Sequence, residues 1–384
     1  MKKIAWSCLF PLAAVASPVM AQSSVTLYGI LDESLRYLTN AGVDGKDQTQ
    51  LGIGTQIPSR FGLKGNEDLG GGWSAVFRLE SVFNLNNGSL SAANTLFSPQ
   101  AYVGIANSKY GTLTFGRHYT PFFNAMSGTF DPMTLGDYWQ DSWIYNGAGP
   151  FLTVANTVKY TQDIGGLHFD GMYGLGNQAG APGLGSMYGV EVSYSAGPAK
   201  IGAGFQQNDV ASTSINGQPA SARNGAKFNI FHVSGNLKFG SAWTLMAGWL
   251  RAQDQTGLLD RNMQQANAPT LPGTSPNRID NYGYLGAVWQ VQPDVRLTAV
   301  GYVGRTQNAQ KLDGSLGAGM NYSGTIFAEY LLSKRTEVYA TADFAKGNGA
   351  FAADYPGSTV AGSSALTIGR TNNVGAALGF RHFF

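Results

Sequence analysis

Residues 25–37 read VTLYGILDESLRY. Val25, Leu27, Gly29, Leu31, Leu35 and Tyr37 share one face, and Thr26, Tyr28, Asp32, Ser34 and Arg36 share the other. Alternation with period two is the geometry of a β-strand whose two faces meet different surroundings. The pattern returns along the chain. In Leu167–Tyr173, His168 and Asp170 stand opposite the apolar face. Val338, Ala340, Ala342 and Phe344 alternate with Glu337, Tyr339, Thr341 and Asp343, and Leu378, Phe380, His382 and Phe384 alternate with Ala377, Gly379 and Arg381. Sixteen such segments begin near residues 24, 58, 73, 100, 111, 155, 167, 187, 198, 227, 242, 281, 295, 320, 335 and 373.

The connections alternate as well. Short turns such as Ser108–Gly111, Asp163–Gly166, Ala196–Pro198, Gln292–Asp294 and Ser333–Arg335 carry Gly, Pro, Asp or charged residues, the usual turn chemistry. Between them lie long polar loops over 39–57, 85–98, 118–154, 208–226, 252–280, 306–319 and 346–372. Short turns on one side and long loops on the other are the layout of an up-and-down barrel in an outer membrane, with both termini on the short-turn side. Trp73, Trp243 and Trp289 adjoin short turns, where an interfacial aromatic girdle belongs. A soluble sandwich or solenoid would also alternate, but it predicts no such asymmetry of loops.

Composition agrees. The 384 residues include only 25 Lys plus Arg and 23 Asp plus Glu, 12% charged, where a soluble domain has about 25%. Lys2 and Lys3, the apolar run Ile4–Ala16 and Val19-Met20-Ala21 read as a cleaved signal peptide over residues 1–21, too short an apolar stretch to span a bilayer. Cys8, the only cysteine, lies within it, so the remaining chain is expected to have neither thiol nor disulfide. Without Lys2 and Lys3 the basic residues number 23, equal to the 23 acidic ones, which does not support a nucleic-acid surface. No mature segment approaches 18 consecutive apolar residues, so a membrane crossing must use strands.

Ser59-Arg60-Phe61-Gly62-Leu63-Lys64-Gly65-Asn66-Glu67-Asp68-Leu69-Gly70-Gly71-Gly72 closely resembles the second-strand and turn signature of Gram-negative trimeric porins. Val25–Gly29, Ala101–Gly104, Leu113–Arg117 and the ending Gly379–Phe384 are similar to further porin blocks, the last to the β-proteobacterial branch. The resemblance covers the mature chain and implies a single domain, 22–384: an all-β, 16-stranded antiparallel transmembrane β-barrel. It implies a homotrimer with one aqueous pore per subunit and a third extracellular loop, about 118–154 here, folded inward as a constriction. It also implies that terminal Phe384 is read by the barrel assembly machinery, in a setting of outer-membrane lipid and lipopolysaccharide.

The residues suggest no catalytic chemistry. His118, His168, His232 and His382 are scattered, with no H-E-x-x-H spacing, Cys/His cluster, nucleophile elbow or phosphate loop. No catalytic, metal or cofactor site is expected; a His168–Asp170 rim pair is better read as lining a wet lumen.

Pore selectivity comes from lining charges. Parity turns Arg36, Arg60, Lys64, Arg78 and Glu80 inward; neighbouring strands are about 5 Å apart, so a basic wall patch is expected. A lipid-facing arginine at mid-membrane would cost about 2–4 kcal/mol. Arg60 and Lys64 match a porin pattern for wall bases; Arg78 departs from it, because the family usually carries a neutral or acidic residue there. Two family arginines are missing: Pro99 precedes Gln100–Gly104, and Thr153 stands before Asn156–Tyr160. Arg117 shares parity with Leu113 and Phe115, which directs it to the rim or a neighbouring subunit. The inward loop carries Asp131, Asp137 and Asp141, with Tyr138, Trp139 and Trp143 and no Lys or Arg. Facing the basic wall, these acids would set a transverse field; alternatively they cap turns, as in Phe130-Asp131-Pro132. The expected function is passive diffusion of small hydrophilic solutes and ions. A substrate-selective channel with an aromatic slide and a barrel that chiefly displays adhesive loops are the alternatives.

Overall fold

A computed structural model describes residues 24–40, 46–53, 57–133, 151–212, 221, 223–263, 273–311, 313–350 and 372–384. The expected signal peptide, Asp137, Asp141, Tyr138, Trp139 and Trp143 therefore lie outside the described residues. The strands are β1 (Ser24–Leu38), β2 (Gln48–Ile53), β3 (Arg60–Gly70), β4 (Trp73–Val82), β5 (Pro99–Asn107), β6 (Gly111–Tyr119), β7 (Thr153–Ile164), β8 (Leu167–Gly174) and β9 (Met187–Ala196). They continue with β10 (Ala199–Val210), β11 (Ala226–Phe239), β12 (Trp243–Asp254), β13 (Arg278–Gln292), β14 (Val295–Gln310), β15 (Leu316–Ser333), β16 (Thr336–Gly349) and β17 (Asn372–Phe383).

Each strand pairs antiparallel with its neighbours, and β1 pairs with β17 to close the sheet. Seventeen strands make sixteen staves, because β2 and β3 share one. β2 pairs with Glu33–Leu38 of β1, and β3 pairs with Ser24–Ile30 below it. A closed sheet leaves no unpaired edge, which is what a hydrocarbon surround demands of strands. Leu27, Val103, Ile201, Leu285, Ile326 and Leu378 stand exposed on the outside. Inward positions are polar, or covered by loop segments that enter the barrel. No helix among the described residues is long and apolar enough to cross a membrane.

The strand starts agree with the sequence reading to within a few residues; the loops differ more. Part of the first long loop is strand β2. The loop expected over 306–319 shrinks to residues 311–315 because β14 continues through a bulge between Thr306 and Ala309, with Asn308 at positive φ; a bulge absorbs one residue without ending the ladder. One long connection, 175–186, was not anticipated. Trp243 and Trp289 stack at 4.9 Å, and Trp73 stacks on Tyr110 at 5.8 Å, all beside short turns.

The seam is held at its lower end by the last residue. Phe384 N donates to Gly29 O at 3.1 Å, and Gly29 N donates to Phe384 O at 3.0 Å. The Phe384 ring occupies the space a Gly29 side chain would need: a Cβ there would lie 2.3 Å from it. Gly29→Val should therefore lift the ring and weaken closure by about 1–3 kcal/mol, the usual cost of overpacking. A lower unfolding midpoint in urea on lipid vesicles would register it, and an unchanged midpoint would separate Phe384 from closure.

Candidate functional site: the charged pore wall

The first three staves gather the expected basic patch. Rungs Thr26↔Lys64↔Arg78 and Tyr28↔Gly62↔Glu80 set these side chains side by side. Gly62 matters here, because a Cβ at that position would come within 2.5 Å of the Tyr28 hydroxyl. The bare backbone lets the Tyr28 ring lie across to Glu80, and its hydroxyl donates to Glu80 Oε2 at 2.8 Å. Arg78 Nε donates to the same hydroxyl at 2.6 Å and Arg78 Nη2 to Glu80 Oε2 at 3.2 Å. Arg60 Nη1 reaches Glu80 Oε1 at 3.3 Å. Lys64 and Arg78 lie over the Tyr28 ring at 5.5 and 5.0 Å.

Glu80 is thus the hub: its side chain is 1% exposed, against 15% for Arg60 and 34% for Arg78. Lys64 is exposed. Three cations around one carboxylate leave this patch a net charge of about +2.

Arg36 does not join them. Its guanidinium is buried in a two-bond pair with Asp343, at 3.0 and 2.8 Å. The reason lies in closure: Arg36 opposes Ala377 on β17, and Asp343 opposes Gly375 on the far side of that strand. Two residues 307 apart in sequence thereby cancel each other.

Asp131 is corrected too. It is buried, accepting from Met133 N at 2.9 Å and the Tyr302 hydroxyl at 2.8 Å. It caps its turn and fastens the loop to β14 instead of lining open water. The described start of that loop packs on inward-facing side chains. Helix α1 (Pro121–Ala125) and the π-turn Met126–Phe130 bury Phe122, Met126 and Phe130 among Phe228, Tyr284 and Tyr302. Tyr284 donates to Phe130 O at 3.1 Å, and Asn236 to Thr129 O at 2.9 Å.

Sequence reasoning missed a second wall network. Arg381 pairs with Glu337 and, at 2.9 Å, with Glu329, and Arg296 pairs with Glu329. Tyr339 donates to Asp32 at 2.6 Å, and Arg381 lies 3.8 Å from that carboxylate. Three carboxylates against two guanidiniums give this stretch the opposite sign to the Arg60 patch. Strand parity turns Glu337, Arg381 and Asp32 inward, since all oppose apolar faces, but the β1–β17 seam is what brings Asp32 to Arg381.

Lys159, also missed, is buried and pairs with Asp170 at 2.9 Å. The His168–Asp170 rim pair does not exist: His168 turns to Asp163 at 2.8 Å. Among the described residues no cluster of three or more His, Cys, Asp or Glu could hold a metal.

Comparison with known proteins matches this architecture. The Gram-negative porin family model matches residues 9–350. An outer membrane porin protein of Bordetella pertussis is 37% identical over 161 residues, 39% of this chain and 40% of the relative. Outer membrane porin protein 32 of Delftia acidovorans is 30% identical over 221 residues, 52% of this chain and 58% of the relative. These alignments thus span about half the length of the relatives.

Among solved structures, the anion-selective porin from Comamonas acidovorans superposes with a TM-score of 0.74 at 21% identity, covering 94% of this chain and all of that one. OmpT of Vibrio cholerae, described in a trimer form, gives 0.64 at 15% identity, covering 94% of this chain and 99% of that one. Closed barrel, polar interior and family match agree, and the chain belongs to the Gram-negative porin family of the outer membrane.

Proposed function

We propose that the chain forms a water-filled channel for passive diffusion of small hydrophilic solutes and ions, as a homotrimer, with no chemical step. The observation that carries this reading is the partition of side chains across one closed sheet: apolar outward, ion-paired and polar inward. Sixteen staves leave an aqueous channel. Arg60, Lys64 and Arg78 on the wall form the eyelet, and their net positive charge favours anions. The anion selectivity named for the Comamonas porin agrees in sign.

Phe384 serves assembly, and the outward face meets lipid and lipopolysaccharide. Purified protein in planar bilayers should give ohmic steps and a zero-current potential of anion-selective sign in a salt gradient. Absence of steps at any voltage would sink the channel reading; a cation-selective potential would sink the assignment of the eyelet.

A further inference from the structure

The outward wall of five consecutive strands carries cations and no acids. Asp254, Asp280, Glu329, Glu337 and Asp343, all the acids of β12 to β16, are buried on the inward side. Arg251, Arg305 and Lys346 are exposed on the outward side, sharing strand parity with exposed Trp249, Val303 and Phe344. Arg251 donates to Asn281 Oδ1 at 3.3 Å. Arg305 and Lys346 meet no counter-ion among the described residues. On neighbouring β10 and β11 the outward charges Asp209 and Lys227 oppose each other on one rung and offset.

The rungs gather the three cations. Arg251, Asn281 and Arg305 are successive partners, and Val303, Tyr322 and Lys346 are successive partners on the rung below. At about 5 Å per strand and 3.3 Å per residue, Arg305 lies about 10–12 Å from each of the other two, measured at Cα. Their height is set by the tryptophans. Trp243, Trp289, Leu297, Ala328 and Ala340 form one rung that starts beside the short turns. Arg251 and Arg305 stand eight residues above it, and Lys346 six. With strands tilted about 40°, that is about 15–20 Å up a band about 25 Å tall. Extended side chains from there reach the outer headgroups.

Below the cations the wall is concave. Leu285, Gly301, Gly324 and Phe344 share one rung, with Ala299 and Ile326 on the next one down. They line an outward groove of about 740 Å³. A Cβ on Gly301 would meet nothing nearer than 4.0 Å, so the sheet does not demand glycine there, and its bare backbone keeps the groove open.

We propose that this face binds a lipopolysaccharide molecule of the outer leaflet, with Arg251, Arg305 and Lys346 on its headgroup phosphates and an acyl chain over Gly301. This rests on the reading above that the outward face meets lipid and lipopolysaccharide. Fixed guanidinium and ammonium groups neutralise phosphates without a divalent ion. Charge selects this occupant over a second copy of the chain, because no group of outward acids at this height among the described residues complements three cations.

The test uses the full-length mature protein in detergent with EDTA, titrated with rough lipopolysaccharide and read by native mass spectrometry. One bound molecule per subunit should survive the EDTA. Arg251→Gln, Arg305→Gln and Lys346→Gln together should weaken binding about 100-fold, at about fivefold per cation. Lipopolysaccharide stripped of its lipid A phosphates should bind the wild type as weakly. Gly301→Leu fills the groove and leaves charge alone; it should weaken binding about tenfold, the worth of about two buried methylenes. Single-channel conductance should stay unchanged in these variants. Wild-type affinity in the triple variant, or binding that needs divalent cations, would overturn the site alone. A changed oligomeric mass in the triple variant with lipid binding intact would overturn it in favour of a subunit interface. A wild-type protein that binds no lipopolysaccharide at any concentration would overturn the wider lipid reading with it.

Discussion

Arg60→Ala combined with Arg78→Ala is expected to move the zero-current potential in a salt gradient strongly toward cations. The two guanidiniums are the partly exposed members of the proposed eyelet patch, and Glu80 between them is not exposed. Their removal takes the patch from three cations and one carboxylate to one of each. A unit charge about 5 Å from the ion's path contributes about 0.8 kcal/mol at the dielectric of water, and salt screens little over that distance. Two such charges change the anion-to-cation permeability ratio by about an order of magnitude or more. Glu80→Gln should move the potential the other way, since it unmasks both arginines. An unchanged potential in the double alanine variant would place both residues outside the ion path.

The second large effect is expected at the sixth long loop. The short helix Leu258–Met263 turns back into the barrel, burying Leu258 and Leu259 against Leu250, Ala252 and Phe228. Its lock is ionic. Arg278 donates to Asp260 Oδ1 at 3.1 Å and to both oxygens of Asp280 at 3.0 and 3.1 Å, and all three side chains are fully buried. Asp254 holds the helix start, accepting from Thr256 N at 2.7 Å and Leu259 N at 2.8 Å.

Arg278→Ala leaves Asp260 and Asp280 buried without their cation, a loss of about 3–5 kcal/mol for a pair of this kind. The closed sheet outlasts that loss, because its ladder does not run through the loop, so the helix is what gives way. Limited proteolysis should cut between residues 255 and 277, and single-channel conductance should rise as the segment leaves the mouth. Arg278→Met with Asp260→Asn and Asp280→Asn should recover much of the protection, since no uncompensated charge remains. Resistance to protease together with unchanged conductance in Arg278→Ala would show that the helix is held by its leucines alone.

The basic patch of the first three staves shows how far local pattern reaches. Arg60, Lys64 and Arg78 could be placed on one wall because their strands are consecutive, and hairpin neighbours fall into register through the short turn between them. Arg36 satisfies the same parity rule and is silent, because its partner Asp343 comes from the other end of the chain. The second network failed to emerge for a related reason. Asp32, Arg296, Glu329, Glu337 and Arg381 all face inward, but Asp32 reaches the others only across the β1–β17 seam. Asp131 had two readings from sequence, and only the Tyr302 hydroxyl 171 residues away decided between them.

By itself, the sequence determined everything that depends on period two: which segments are strands, which face of each meets water, and which ends carry short turns. That information is local, since one residue's side chain is opposed by the next. The tertiary structure alone decided which inward charges stay partly exposed and which are buried in pairs. It also decided that the helix Leu258–Met263 between β12 and β13 turns back into the barrel. Those outcomes depend on shear and closure, which bring residues hundreds of positions apart within about 4 Å of each other, where opposite charges in a buried setting pair off.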